Sequence, residues 1–202
     1  MKFEDWQKLM RVFGLEENKN TYTSLIVAYS EKHRSYHTLE HIEACVKHLK
    51  NTRQLANKPH EIELALWFHD AIYKPYSSTN KLDSAIWAKQ FLYENNTDQA
   101  TCERIYNLIM VTLHNGKTNT SDEELMIDID LSILGSSPMV YQAFEKNVRK
   151  EYRWVPYFLY CKKRKQILQG FLKQKQIYQT EFFNQLFEKQ ARKNLQVALL
   201  AL

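Results

Sequence analysis

Apolar side chains recur every three or four positions through most of the chain, which is the spacing of one face of an α-helix. The first such stripe covers residues 3–14 and consists of Phe3, Trp6, Leu9, Met10 and Phe13. Further predicted helices cover about 22–33, 37–55, 59–73, 81–93, 98–114, 138–152, 156–173 and 180–200. Neither repeats nor linkers interrupt this pattern. It therefore predicts a single all-α domain over residues 1–202, folded as a helical bundle.

One segment does not follow the helical spacing clearly. The stretch LMIDIDLSILG, residues 125–135, begins with alternating apolar and polar positions, a pattern that is also typical of a half-buried strand. Its neighbours on both sides are predicted helices. The context therefore favours a helix here too.

Composition and charge narrow the class of protein. Only 4 of the 202 residues are Gly and 4 are Pro, which argues against an all-β fold with many tight turns. Three widely spaced cysteines make neither a disulfide framework nor a paired-cysteine zinc site, and no signal peptide or run of about 20 apolar residues is found. These features predict a cytoplasmic protein without a membrane partner.

The net charge of +5, from 28 Lys and Arg against 23 Asp and Glu, suits a phosphorylated ligand. The densest basic run is 162–165, interpreted as a solvent-exposed helix face. No recognition motif supports nucleic acid as a partner, although a basic helical module for RNA or protein stays an alternative.

Ionisable residues stand inside apolar segments. His69 and Asp70 interrupt ALWFHDAIY, where burial without partners is costly. Others inside or at the ends of predicted helices are His37, His41, His114, Asp128 and Asp130. Each alone can be a helix cap or a surface residue. Together they offer imidazoles and carboxylates, the donors that bind a divalent transition metal in the core of a helical bundle.

The order of a histidine, a His-Asp doublet and a distant aspartate resembles the HD superfamily of metal-dependent phosphohydrolases. The similarity extends to a bacterial subfamily of HD-type phosphohydrolases and covers roughly residues 5–197. The matching segments, in chain order, are RSYHTLEHI, WFHDAIYKPYSSTN, TLHN, IDIDLSILG, VRKEY and EKQARKNL.

The resemblance implies an HD-type helical bundle and a set of metal ligands. These ligands are His41, His69, Asp70 and Asp130. His41 is preferred to His37 because EHIEACVKHL resembles the first helical motif of the family. Asp130 is preferred to Asp128 because DIDLSILG is similar to the closing aspartate of the family and the apolar turn after it.

The resemblance also implies hydrolysis of a phosphate ester or anhydride on a nucleotide-like small molecule, with His69 and Asp70 as catalytic residues. The cofactor is expected to be a divalent ion, manganese, iron, cobalt or zinc rather than magnesium alone, because imidazoles are among the ligands. The residues expected to bind substrate are Arg34, His37, Asn80, His114 and Arg149. For Arg149 an ion pair with Glu145 or Glu151 is an equal alternative. His37 and His114 could also be ligands of a second ion.

One position departs from the subfamily. Its members carry Asn-Glu after the loop, where this chain has Asn80 and Lys81. If that glutamate positions or deprotonates water, its replacement leaves a carboxylate missing and adds a cation. The alternative function is therefore a metal- and nucleotide-binding HD-domain protein with impaired catalysis.

Overall fold

The computed structural model describes residues 1–114 and 116–202, and it is built from helices. Asn115, the last residue of the TLHN segment, lies outside the described residues. The α-helices are α1 (Phe3–Val12), α2 (Lys19–Tyr29), α3 (Leu39–Asn51), α4 (Pro59–Phe68), α5 (Asn80–Glu94), α6 (Gln99–Met110), α7 (Ser121–Leu131), α8 (Pro138–Glu151), α9 (Tyr157–Lys173) and α10 (Glu181–Leu200). No strand occurs in these two ranges, which confirms the predicted all-α class. No helix among them is long and apolar enough to span a membrane.

Several helices are shorter than the sequence pattern predicts. Helix α4 ends at Phe68, so His69 and Asp70 follow the helix instead of lying within it. Helix α3 begins at Leu39, which leaves His37 in the bend before it. The helix predicted over about 37–55 therefore begins later than the sequence pattern indicated, and His37 lies outside it. Each shortened end lies where side chains from elsewhere bind the backbone, a contact that periodicity does not reveal.

The segment with the ambiguous pattern is helical. Helix α7 covers Ser121–Leu131 and a short 3₁₀ helix continues over Ser132–Gly135. Both faces of α7 contain buried apolar side chains, among them Leu125, Met126 and Ile129. A helix that is buried on more than one face loses the spacing of three and four, which explains the strand-like pattern.

The chain divides into two compact units, residues 1–126 and 127–202. The core of the first unit is an aromatic cluster on α1, α4 and α5. The ring centroid of Trp6 lies 5.2 Å from that of Trp67 and 5.9 Å from that of Phe91. Pro59 occupies the first turn of α4, where its missing N–H costs no hydrogen bond. Buried α4 thus forms a rigid support for the residues that follow Phe68.

The second unit contains α8, α9 and α10. Arg164 of α9 donates two hydrogen bonds to the carboxylate of Glu145 on α8, at 3.0 and 2.6 Å. Gly135 faces Phe187 of α10 so closely that a Cβ atom would overlap the ring. The Tyr178 hydroxyl donates to the Leu131 carbonyl at 3.0 Å. These contacts fix the residues just after α7 against α10.

Candidate metal centre

The His69–Asp70 pair lies in a tight turn at the C-terminal end of α4. The His69 N–H donates to the Ala65 carbonyl at 2.8 Å, which closes the last helical turn. Both side chains are buried, His69 with none of its surface exposed and Asp70 with 2%. Because the turn follows a fully buried helix, both ionisable groups point into the protein interior instead of into solvent.

An arginine binds the backbone carbonyls of this turn. The Arg34 guanidinium donates to the carbonyls of Asp70 and Ala71, at 2.7 and 2.9 Å, and to the His37 carbonyl at 3.1 Å. Its Nε donates to the Glu31 carboxylate at 3.0 Å. These contacts give Arg34 a positioning role, because they fix the backbone on which Asp70 stands. Its predicted role in substrate binding stays a prediction.

Three donor atoms of the first unit face one another. His69 Nε2 lies 3.2 Å from His41 Nε2 and 3.0 Å from Asp70 Oδ2. His41 Nε2 lies 3.7 Å from the same oxygen of Asp70. Donors bound to one ion at about 2.0–2.2 Å are about 3.0–3.5 Å apart. Two of the observed separations fall in this range and the third, at 3.7 Å, is slightly longer, so the three atoms lie close enough to share one ion.

The orientation of both imidazole rings also suits a metal site. His69 Nδ1 is 2.9 Å from the Leu66 carbonyl, so Nδ1 carries the proton and Nε2 presents its lone pair. His41 Nδ1 is 3.1 Å from the Tyr36 hydroxyl. A metal-binding histidine commonly uses its second nitrogen in such a bond, which fixes both ring and tautomer.

Asp130 completes the donor set. One ligand atom from each of His41, His69, Asp70 and Asp130 lies within 4.8 Å of the others, so the four residues can hold a metal ion. His37 is not part of this group, which supports the choice of His41. Asp128 is occupied elsewhere: its carboxylate accepts hydrogen bonds from the N–H groups of Gln179 and Thr180 and from the Thr180 hydroxyl.

The charge of Asp70 is maintained by its neighbours. Burial alone raises the pKa of this carboxyl, but the adjacent His69, Lys81 and His37 outweigh burial and hold its pKa well below the usual range. The nearest of these groups is the ammonium of Lys81, whose Nζ lies 2.8 Å from Asp70 Oδ1. Asp70 is therefore an anion in this site, as a metal ligand must be.

The loop before Lys81 is closed by Asn80. Its side-chain oxygen accepts from the N–H of Lys74 and its amide nitrogen donates to the carbonyl of the same residue, both at 2.9 Å. Helix α5 begins at Asn80 and carries Lys81 toward Asp70. The structure thus gives Asn80 a role in positioning Lys81, and its predicted contact with substrate stays a prediction.

The other predicted substrate-binding residues occupy different surroundings. The His37 ring stacks on Tyr73 with centroids 4.3 Å apart. His114 follows a short 3₁₀ helix and has a left-handed backbone with φ +53°. On α8, Arg149 donates to the carbonyls of Tyr152 and Val155. Glu145, one predicted partner of Arg149, pairs with Arg164.

Sequence reasoning missed two neighbours of His41. Tyr36 contacts Nδ1 of the ring, and Cys45 Sγ lies 3.7 Å from the same nitrogen. Cys45 stands four residues after His41 on α3, a spacing that places both on one helix face. The spacing of four residues could therefore have predicted that Cys45 lies beside His41. Tyr36 precedes the helix, so helical spacing could not have predicted its contact with His41.

No protein-family model, curated protein or solved structure matches this chain. The resemblance to the HD superfamily therefore stays a prediction from the sequence segments.

Proposed function

We propose that this protein is a metal-dependent phosphohydrolase that acts on a nucleotide-like phosphate ester or anhydride. The observation that carries the proposal is the group of two imidazoles and two carboxylates at His41, His69, Asp70 and Asp130, of which the first three are buried and Asp130 is half-buried. Such a mixed nitrogen and oxygen set suits manganese, iron, cobalt or zinc better than magnesium alone. The order of these residues in the chain matches the HD resemblance.

Each residue of this group has a proposed role in binding the ion or in the reaction. His41, His69, Asp70 and Asp130 would hold the ion, which when bound lowers the pKa of water and polarises a phosphoryl oxygen. Asp70 Oδ2 faces the two imidazoles, while Oδ1 faces Lys81. Asp70 is thus placed both to bind the ion and to accept a proton from water.

A cationic group beside Asp70 favours a phosphorylated substrate. The Lys81 ammonium lies 2.8 Å from Asp70 Oδ1 and therefore close to the proposed reaction centre. A phosphoryl group arriving there would gain from the Lys81 cation, because positive charge stabilises the negative charge that develops in the transition state. The chain's excess of basic residues would add long-range attraction.

The second candidate function is a metal- and nucleotide-binding protein with weak turnover. The Lys81 contact to Asp70 favours it, since the resemblance places a glutamate at this position. In that case Lys81 would occupy a carboxylate oxygen that catalysis requires.

A metal-loaded screen tests the proposal. Purified protein would be loaded in turn with manganese, iron, cobalt and zinc and assayed against nucleoside mono-, di- and triphosphates, cyclic nucleotides and pyrophosphorylated nucleotides. We expect phosphate release that disappears in His69→Ala and persists in His48→Ala, a control on α3. Binding of these compounds without any release would favour the second function. If the protein neither binds these compounds nor releases phosphate from them, both proposed functions are overturned.

A further inference from the structure

The start of α9 exposes apolar side chains to solvent. Tyr157, Phe158 and Leu159 are 60%, 71% and 45% exposed, and Trp154, just before the helix, is 47% exposed. We refer to these four residues as the α9 apolar tip. Single exposed apolar residues are normal on a protein surface, but a contiguous group that includes three aromatic rings marks an interaction surface.

The same region carries only positive charge. Residues 152–180 contain no Asp or Glu, and they contain seven Lys and Arg: Arg153, Lys162, Lys163, Arg164, Lys165, Lys173 and Lys175. Arg164 is buried and bound to Glu145. Lys162, Lys163 and Lys173 lie exposed on α9, one to four turns beyond the apolar tip. This segment therefore combines an apolar end with exposed lysines and contains no acidic residue of its own.

We propose that this surface binds the headgroup layer of membranes that contain anionic phospholipids. Aromatic and aliphatic side chains such as those of the α9 apolar tip enter the boundary between headgroups and acyl chains. Lysines beside them are attracted to the negative surface of the membrane. The sequence prediction of no membrane partner rested on the absence of a spanning segment, and surface binding does not need one.

The details of the surface favour lipid over nucleic acid. Single strands of nucleic acid bind by stacking bases on aromatic rings and by contacts between arginine and phosphate. Leu159, an exposed member of the tip, offers no ring for stacking. The guanidinium of Arg149 is bound to two backbone carbonyls, and that of Arg164 is bound to Glu145. The exposed cations on α9 are lysines, which suit a diffuse negative surface, although Arg153 is also exposed just before Trp154.

Vesicle flotation with the full-length protein tests this proposal. The probes are vesicles of phosphatidylcholine alone and vesicles of equal parts phosphatidylcholine and phosphatidylserine. We expect the protein to float with the second kind only, and less so as salt increases. We also expect the fluorescence of Trp154, the exposed tryptophan of the tip, to shift to shorter wavelength on binding and this shift to be lost in Trp154→Phe.

Matched variants separate the apolar and electrostatic contributions. Phe158→Ser combined with Leu159→Ser should weaken vesicle binding at least tenfold, since the apolar contact is lost. Lys162→Gln combined with Lys163→Gln should weaken it about 25-fold, from about fivefold per lysine near the surface. The control, Lys47→Gln with Lys50→Gln, removes the same charge from exposed positions on α3 and should change binding less than about twofold.

Three results would overturn the proposal. The first is equal binding to both kinds of vesicle or to neither. The second is tight binding of a single-stranded polyuridine oligonucleotide that depends on Lys162 and Lys163, with no vesicle binding, which would assign the surface to nucleic acid. The third is a dimer in sedimentation experiments that Phe158→Ser abolishes, again without vesicle binding, which would assign it to a second copy of the chain. Circular dichroism of each variant confirms that it is folded.

Discussion

The ammonium of Lys81 lies 2.8 Å from Oδ1 of Asp70, while Oδ2 of the same carboxylate lies 3.0 Å from Nε2 of His69. One carboxylate thus faces a cation of the protein on one side and the candidate metal position on the other. Both partners of the ion pair are largely buried, since the Lys81 side chain is 17% exposed and that of Asp70 is 3% exposed. Lys81 and a bound ion would therefore compete for the charge of Asp70.

This competition leads to a prediction for Lys81→Met. Without metal, Asp70 loses its nearest cation, and we expect the free energy of unfolding to fall by about 3 kcal/mol, the cost of leaving a buried charge without its partner. Metal affinity should rise about tenfold, because Asp70 is then available to the ion alone. Denaturant unfolding in chelator and titration calorimetry with zinc measure the two effects.

The matched control for Lys81→Met is Lys89→Met on the same helix. The ammonium of Lys89 pairs with Glu103 at 2.6 Å, but both side chains are more than 40% exposed. We expect it to change stability by less than about 1 kcal/mol and to leave metal affinity unchanged. Unchanged metal affinity in Lys81→Met as well would show that Lys81 does not compete with the ion.

Lys81→Glu separates the two proposed functions. If the ion and Asp70 suffice for catalysis, kcat should change less than tenfold and KM should rise, because a cation near the phosphate is lost. This is the outcome that we expect. If catalysis requires a carboxylate at this position, kcat should increase by about 10²–10⁴, the usual gain from general-base assistance. Steady-state kinetics on the best substrate of the screen distinguishes the two.

Metal content tests the ligand set directly. We expect about one divalent transition ion for each wild-type chain and less than a tenth of that in His41→Ala, His69→Ala and Asp70→Ala, since each change removes one donor of four. His48→Ala, a half-buried histidine on α3, should retain the full amount. Elemental analysis after gel filtration gives the ratio. Full occupancy in both His69→Ala and Asp70→Ala would rule out this site.

The two aspartates of α7 should respond in opposite ways. Asp130→Asn should lower metal content, because it replaces one of the four donor carboxylates and imidazoles. Asp128→Asn should retain metal but lower the free energy of unfolding by about 2 kcal/mol, because three hydrogen bonds to a buried carboxylate weaken. Thermal unfolding and elemental analysis of both variants provide the comparison. Loss of metal in Asp128→Asn alone would reverse the assignment.

The sequence predicted the helices well because their cores repeat at the helical period. It also named the four residues that the structure brings together as a group able to hold a metal ion, although the choice of His41 and Asp130 depended on similarity to a family and not on spacing. Periodicity alone did not distinguish Asp128 from Asp130. That distinction depends on the N–H groups of Gln179 and Thr180, which lie about 50 residues further along the chain.

The sequence could not predict how the His69–Asp70 turn is held. Its support comes from Arg34, 36 residues before Asp70, through bonds to backbone carbonyls. Every residue has the same backbone carbonyl, so a sequence pattern does not reveal which carbonyls an arginine binds. For the same reason the contacts between the Arg34 guanidinium and the chain were not predicted, and the predicted role of Arg34 in substrate binding stays a prediction.

The backbone of the turn after α4 depends on side chains for its hydrogen bonds. The N–H of Asp70 donates to the Tyr29 hydroxyl at 3.3 Å, and the N–H of Ile72 donates to the Ser84 hydroxyl at 2.9 Å. Such bonds break when a side chain rotates, without any helix unwinding, so these two amides should exchange with deuterium through local opening. They are therefore reporters of site formation, and a bound ion should slow their exchange while the amides inside α4 continue to report global unfolding.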